Sequence, residues 1–241
     1  MLIDTHAHSS GISKCCRASI DEVFKDAKAV GIDGIVLTNH YTEGYADNGD
    51  YLELAKRYVA EYRHAEECAK KAQMRIFFGI EVTMELEGFP HVLIYGIRPD
   101  FILEHPAIFN YGQEKLYTVV KNAGGVVVQA HPFRKNTNLL FDLKYLDGIE
   151  LNCHPLYEGT HFEELTKIAL ENNKILTCGG DYHADIYRVK CGYYFPNDIK
   201  DGIELGKYLL KAGSKKLCIQ EVGSQISYDY SYIVNKQQNS R

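Results

Sequence analysis

The sequence predicts an α/β protein whose strands close into a barrel, and three observations point there. Short apolar runs recur along the chain, several intervening segments carry a helical period, and run after run ends in a histidine or an acid. Strands alternating with helices give a parallel sheet covered by helices. About seven or eight such units over 241 residues favour closure of that sheet over an open one.

Met1–Leu2–Ile3 reads as the start of a buried strand leading into DTHAHSS (4–10). Side chains two apart in a strand share a face, so Asp4, His6 and His8 lie together at its end. Ser19 and Glu22 form a capping-box pair that opens an amphipathic segment. GIVL (34–37) is the next strand and runs through Thr38 and Asn39 to His40. Residues 51–72 place Ala55, Tyr58, Val59, Tyr62, Ala65, Ala69 and Ala72 on one face of a long covering helix.

IFFGI (76–80) is a strand ending in Glu81, and GVVVQA (125–130) is one ending in His131. HVLIYGI (91–97) begins with its histidine, so His91 reaches the common end only if this strand runs against its neighbours. GIEL (148–151) carries Glu150 and leads to Asn152. Thr160 with Glu163 is a second capping pair, and KILTC (174–178) continues through GGDYH to Asp181 and His183. Residues 1–223 are expected to form one barrel domain, without internal repeat or linker. Residues 224–241, polar and tyrosine-rich, are expected to be a late strand or a loosely attached tail.

Composition excludes several classes. With 45% hydrophobic and 24% charged residues the chain supports a sizeable core and is not disordered. A net charge of −5 without a basic run disfavours a nucleic-acid polymer as partner. No stretch approaches the ~18 apolar residues of a membrane span. The seven cysteines form no CxxC pair and no leader is evident, so free thiols in a reducing cytoplasm are expected. GxSxG, P-loop and GxGxxG motifs are absent.

The ligand-type residues sit where chemistry is expected. Barrel strands share one C-terminal rim, where active sites lie, so His6, His8, His40, Glu81, His131, Asp181 and His183 would converge there. Buried unpaired acids and histidines are costly, and a cation would offset that cost. His64, off the apolar face of its helix, reads as a surface residue; His105 and His161 read as structural or solvated. His154 fits a rim position or a turn equally well.

In order, DTHAH, TNH, GIE, HVLIYG, AHPFR and GGDYH resemble the polymerase and histidinol phosphatase (PHP) superfamily of metal-dependent phosphoesterases, over about residues 3–185. The resemblance implies a distorted (β/α)7 barrel with two or three divalent ions, zinc, manganese or iron, at the rim. It implies one ion held by His6, His8, Glu81 and Asp181, and a second held by Glu81, as bridge, with His91 and His131. A third would use His40, His183 and a donor from the loop after His8. That loop reads SSGISKCCRAS, where the family often has Asp or His. Cys15 or Cys16 would substitute as thiolate; otherwise the third ion binds weakly through water and substrate, which is the favoured expectation. Asp4 is expected to orient the two histidines.

The activity implied is hydrolysis of a small phosphorylated substrate by in-line attack of hydroxide held between the ions. Phosphoryl transfer needs charge neutralisation, so Arg134 is the first candidate for a phosphate clamp, with Arg17 and Lys14 after it. Asp181, Arg134 and His183 form the catalytic set, His183 protonating the leaving oxygen where no third ion binds it. Two alternatives stand beside this reading. An amidohydrolase-type barrel also opens with HxH but usually adds a bridging lysine, a role Glu81 takes more naturally. A non-catalytic regulatory domain would be expected to have lost several ligands.

Overall fold

The computed structural model describes residues 1–134, 139–154, 161–184, 187, 189–221 and 227–234. Among these, twelve strands form two six-stranded sheets and six α-helices accompany them, a mixed α/β fold rather than one closed parallel ladder. The chain begins with β1 (Leu2–Ala7), α1 (Ile20–Ala29), β2 (Gly34–Leu37) and β3 (His40–Tyr41). It continues through α2 (Tyr51–Ala72), β4 (Arg75–Phe78), β5 (Ile80–Thr83), β6 (His91–Tyr95), α3 (Phe101–Glu104) and α4 (Gln113–Asn122). Then come β7 (Val126–Gln129), β8 (Gly148–Asn152), α5 (Phe162–Glu171) and β9 (Ile175–Gly179). Last are β10 (Val189–Tyr194), α6 (Gly202–Leu210), β11 (Gly213–Glu221) and β12 (Ser227–Val234).

The first sheet has the order β12-β11-β10-β1-β2-β4 and the second β3-β5-β6-β7-β8-β9. β1, β2 and β4 are mutually parallel, as are β7, β8 and β9. β6 runs antiparallel to both neighbours, with Thr83 opposite His91, which carries His91 to the same end as Glu81.

Two predicted runs divide between the sheets. GIVLTNH splits into β2 and β3, and IFFGIE into β4 and β5. At the second break a Cβ on Gly79 would lie 2.7 Å from Val36 Cγ1 and 2.8 Å from Thr38 Cγ2, so only glycine lets the two crossing segments approach. The pairing survives the crossing: Gly79 N donates to Leu37 O, and Glu81 N to Asn39 O. From α2, the Tyr58 hydroxyl reaches Asn39 O at 2.8 Å and Gly79 O at 3.0 Å, binding both crossings to one helix.

The Ser19–Glu22 capping box is present at the start of α1. α2 spans the predicted residues, but Leu54 and Cys68 are fully buried where Val59 and Ala72 were expected to be. Thr160 lies outside the described residues, and α5 starts at Phe162 after His161. β10 and β11 carry no sequence expectation. β12, from the expected tail, pairs antiparallel with β11 and buries Tyr232; residues 224–226 and 235–241 lie outside the described residues. Phe24, Tyr58, Phe78 and Phe109 belong to one apolar core, and Tyr95, Ile149, Leu165 and Leu205 to the other.

Candidate metal centre

His6 on β1 is fully buried, and its orientation follows from one carboxylate. Its Nδ1 donates to Glu150 Oε1 at 2.8 Å, so in the neutral ring Nε2 carries the lone pair. Glu150, inside β8, also accepts from His131 N at 2.9 Å and from the Asn152 side chain at 3.1 Å. His8, just past β1, is fixed by a hydroxyl. Ser13 Oγ gives its one proton to Asn39 Oδ1 at 2.9 Å, so it can only accept from His8 Nδ1, 3.1 Å away. His8 Nε2 therefore also turns a lone pair inward.

These two Nε2 atoms are 3.0 Å apart. Two facing lone pairs at that distance repel unless a proton or a cation lies with them. Glu81, fully buried on β5, meets five histidines. Its Oε1 faces His91 Nδ1 at 2.8 Å, His131 Nε2 at 3.0 Å and His6 Nε2 at 3.4 Å. Its Oε2 faces His40 Nδ1 at 2.6 Å and His8 Nε2 at 3.4 Å. That 2.6 Å approach makes no hydrogen bond, and neither of its two buried atoms has a hydrogen-bond partner. Asp181 Oδ1 closes the group, 3.1 Å from His8 Nε2 and 3.4 Å from His6 Nε2. The donor set, inward lone pairs and orphaned buried atoms fit divalent cations.

His6–His8–Glu81, His40–Glu81–His91 and His8–His40–His183 each place three ligand atoms within 4.8 Å of one another. His131 and Asp181 hold their places with φ of +29° and +49°, strained backbone of the kind that gathers at functional sites.

The electrostatics match. Burial opposes charge on His6, but Glu150, Asp181 and Glu81 outweigh it and hold the ring well above its ordinary pKa. Burial likewise opposes charge on His40, yet Glu81 and Cys15 push it up to about 10. Burial would raise Glu81 and Asp181; instead His40 and His6 pull Glu81 well down, and His6 and His8 do the same for Asp181. His8 falls well below the usual range through burial and its neighbour His40.

Two expectations change. Asp4 does not orient the imidazoles: its carboxylate accepts from His6 N, Gly180 N and the Tyr187 hydroxyl, so it holds the backbone. The orienting acceptors are Glu150 and Ser13. Glu150 had a strand-end position to mark it, whereas nothing in the sequence marked Ser13. Cys16 is buried away from the site with its thiol toward Ala18 O. Cys15 is exposed, and the influence of His183 and His40 outweighs its partial burial and lowers the thiol to about 6.

His40 Nε2 and His183 Nε2 are 3.4 Å apart beside it. His154 sits at the rim, its ring 5.9 Å from that of His183. His64 is exposed, His105 contacts Tyr111, and His161 pairs with Glu164.

Arg134 lines a cleft of about 180 Å³ together with His91, His131, Phe89 and Phe133. Lys14 is exposed and spends its ammonium on Gly44 O at 3.3 Å, over the Tyr45 ring; Arg17 is exposed. No helix among the described residues is long and apolar enough to cross a membrane.

No protein-family model matches the chain, and no curated protein matches it in sequence. Solved structures do resemble it. PsfC from Pseudomonas syringae aligns over 86% of each chain with a TM-score of 0.56 at 17% identity. A Bifidobacterium adolescentis protein assigned as a metal-dependent phosphoesterase aligns over 76% of this chain and 87% of its own, with a TM-score of 0.52 at 17% identity. An amidohydrolase from Chromobacterium violaceum, solved with sulfate and no metal, aligns over 82% of this chain and 93% of its own, with a TM-score of 0.51 at 17% identity. At that identity the likeness establishes a shared fold.

Proposed function

We propose that this protein is a metal-dependent phosphoesterase of the PHP type, its two sheets forming a distorted (β/α)7 barrel, acting on a small phosphorylated substrate. The observation that carries the reading is Glu81, a buried carboxylate whose Oε1 faces His6, His91 and His131 and whose Oε2 faces His8 and His40. One carboxylate can then serve two cations. His6, His8, Glu81 and Asp181 would hold one, and Glu81, His91 and His131 the other. When bound, such a pair lowers the pKa of water and neutralises phosphate charge.

The chain's own groups supply the rest. Glu150 and Ser13 hold His6 and His8 as Nδ1–H tautomers, so their Nε2 atoms stay available. Arg134, on the cleft beside His91 and His131, would grip two phosphate oxygens with its fork. His183 would give the leaving oxygen its proton when no cation occupies its nitrogen. A cleft of about 180 Å³ is below the range of roughly 300–1,000 Å³ for drug-sized ligands, which favours a small phosphoester over a polymer.

The amidohydrolase-type reading draws on the Chromobacterium neighbour. The phosphoesterase reading is preferred because a carboxylate, not a lysine, stands between the two ligand groups. Metal-stripped protein reconstituted with Mn²⁺ or Zn²⁺ and offered phosphoesters and amides decides between them. Phosphate release is the expected result. Amide hydrolysis, or two bound ions with no phosphate released from any ester, would refute it.

A further inference from the structure

Outside the histidine ligand set, three cysteines from three separate segments turn their sulfurs together. Cys153 follows β8, Cys178 lies in β9 and Cys191 in β10, and all three are buried. Their sulfurs lie within 4.8 Å of one another, with Cys153 and Cys178 at 3.6 Å. That separation is far beyond the ~2.05 Å of a disulfide. It suits a shared cation: metal–thiolate bonds of about 2.3 Å in a planar trigonal site set the sulfurs about 4.0 Å apart.

The surroundings are consistent with this. Cys153 Sγ lies 3.9 Å from Leu151 O and Cys178 Sγ 3.6 Å from Cys218 O, so both thiol protons have acceptors outside the group. The sulfur lone pairs can then face inward. A cysteine that only fills a core behaves as a small hydrophobe and needs no sulfur neighbours. The position also matters. β8 and β9 end the second sheet while β10 belongs to the first, and no ladder joins β9 to β10 among the described residues. A Cβ placed on Gly180, next to the histidine centre, would lie 3.4 Å from Cys191 Sγ.

We infer that Cys153, Cys178 and Cys191 form a second, separate metal site, a trigonal thiolate site for a soft d¹⁰ cation that clips the two sheets together. Soft sulfur ligands select such ions over the harder ones that imidazole and carboxylate accept. On binding, each thiol releases its proton to solvent as its sulfur bonds the metal, and no electron is transferred. The site is independent of the phosphoesterase reading, because none of its atoms belongs to the histidine centre.

Cd²⁺ is the probe, since only thiolates give the near-ultraviolet sulfur-to-cadmium absorption. The metal-free full-length protein with Cys15→Ser, which removes the exposed thiol at the rim, is equilibrated with Cd²⁺ under a thiol-free reductant. The expected result is a band saturating at about one equivalent, accompanied by a rise in melting temperature. Both are lost in Cys178→Ser and in Cys191→Ala. A band that survives either substitution, or no band before it, overturns the inference. Should either variant fail to fold, cadmium NMR of the Cys15→Ser protein decides. A sulfur-rich resonance supports the site, and resonances confined to nitrogen and oxygen coordination overturn it.

Discussion

His6 Nδ1 donates to Glu150 Oε1 at 2.8 Å with both side chains fully buried, so this carboxylate sets the tautomer of the first ligand. The same carboxylate accepts His131 N through its other oxygen and so places a ligand of the neighbouring group. Outer carboxylates of this kind sharpen metal affinity by fixing ring orientation and raising basicity. Glu150→Gln keeps the shape and removes the charge. It is expected to weaken metal binding about 10–100-fold by chelator competition. Unchanged affinity in the folded variant would mean that His6 needs no such partner.

Glu81 is the group shared most widely, five histidines against two oxygens, whereas His40 meets only one of them. Glu81→Gln should therefore cost more activity than His40→Ala, and it should remove metal from both groups. Elemental analysis and phosphate release on the two folded variants provide the check. Equal residual rates would place the bridge elsewhere.

Much of this centre was legible because its residues end strands. Strand ends must emerge at a common rim, so His6, His40, Glu81, His131 and Asp181 could be grouped from apolar runs alone. The sheet crossings were not legible. GIVLTNH and IFFGIE each read as one strand, because a hydrophobic run does not record which partner it pairs with. Only the space around Gly79 shows that the chain changes sheets there. Ser13 and Cys15 lie in a loop without periodicity, so their approach to His8 and His40 depends on tertiary contacts. β10 and β11 carried no expectation, since VKCGYY and KKLCIQE mix lysines and glycine with their apolar residues.

The crossings depend on Tyr58, whose hydroxyl sits against Asn39 O and Gly79 O inside the core. Tyr58→Phe leaves two buried carbonyls short of that donor. The cost should be about 1–3 kcal/mol of unfolding free energy, read by denaturant titration. Because Asn39 also holds Ser13, metal affinity should fall with it. A variant as stable as the parent would show that water replaces the hydroxyl at no loss.

In the metal-free protein the raised histidine pKa values have a sign. His40 titrates near its ordinary 6.5 when unfolded and at about 10 when folded. The folded state then binds the proton more tightly. That contribution is whole below pH 6.5 and is lost as pH rises toward 10. Thermal melts of metal-free Cys15→Ser protein, which lacks the opposing titration of that thiol, should therefore drop across this window. With saturating Mn²⁺ the drop should vanish, since the cation takes the protons' place. Metal-free melts that stay flat from pH 6.5 to 10 would show that Glu81 does not hold His40 charged.

The last prediction concerns the rim, where a weakly bound third ion was the expectation from the loop sequence. The structure instead sets the Cys15 thiol against His40 and His183, whose Nε2 atoms are 3.4 Å apart, and leaves Cys16 pointing elsewhere. Two imidazoles and a thiolate form a donor set suited to zinc, which takes water as its fourth ligand in sites of this kind. Burial is the largest single influence and raises the thiol, but His183 and His40 together outweigh it and bring the thiol down to about 6, so thiolate is available at neutral pH. Cobalt substitution makes the sulfur visible through its thiolate-to-cobalt absorption. In a Cys178→Ser background, which removes the buried three-cysteine site, that band should appear, persist on adding Cys16→Ser and disappear on adding Cys15→Ser, together with about one equivalent of tightly held metal. Retention of the third equivalent in Cys15→Ser would return the site to water and substrate as its remaining ligands.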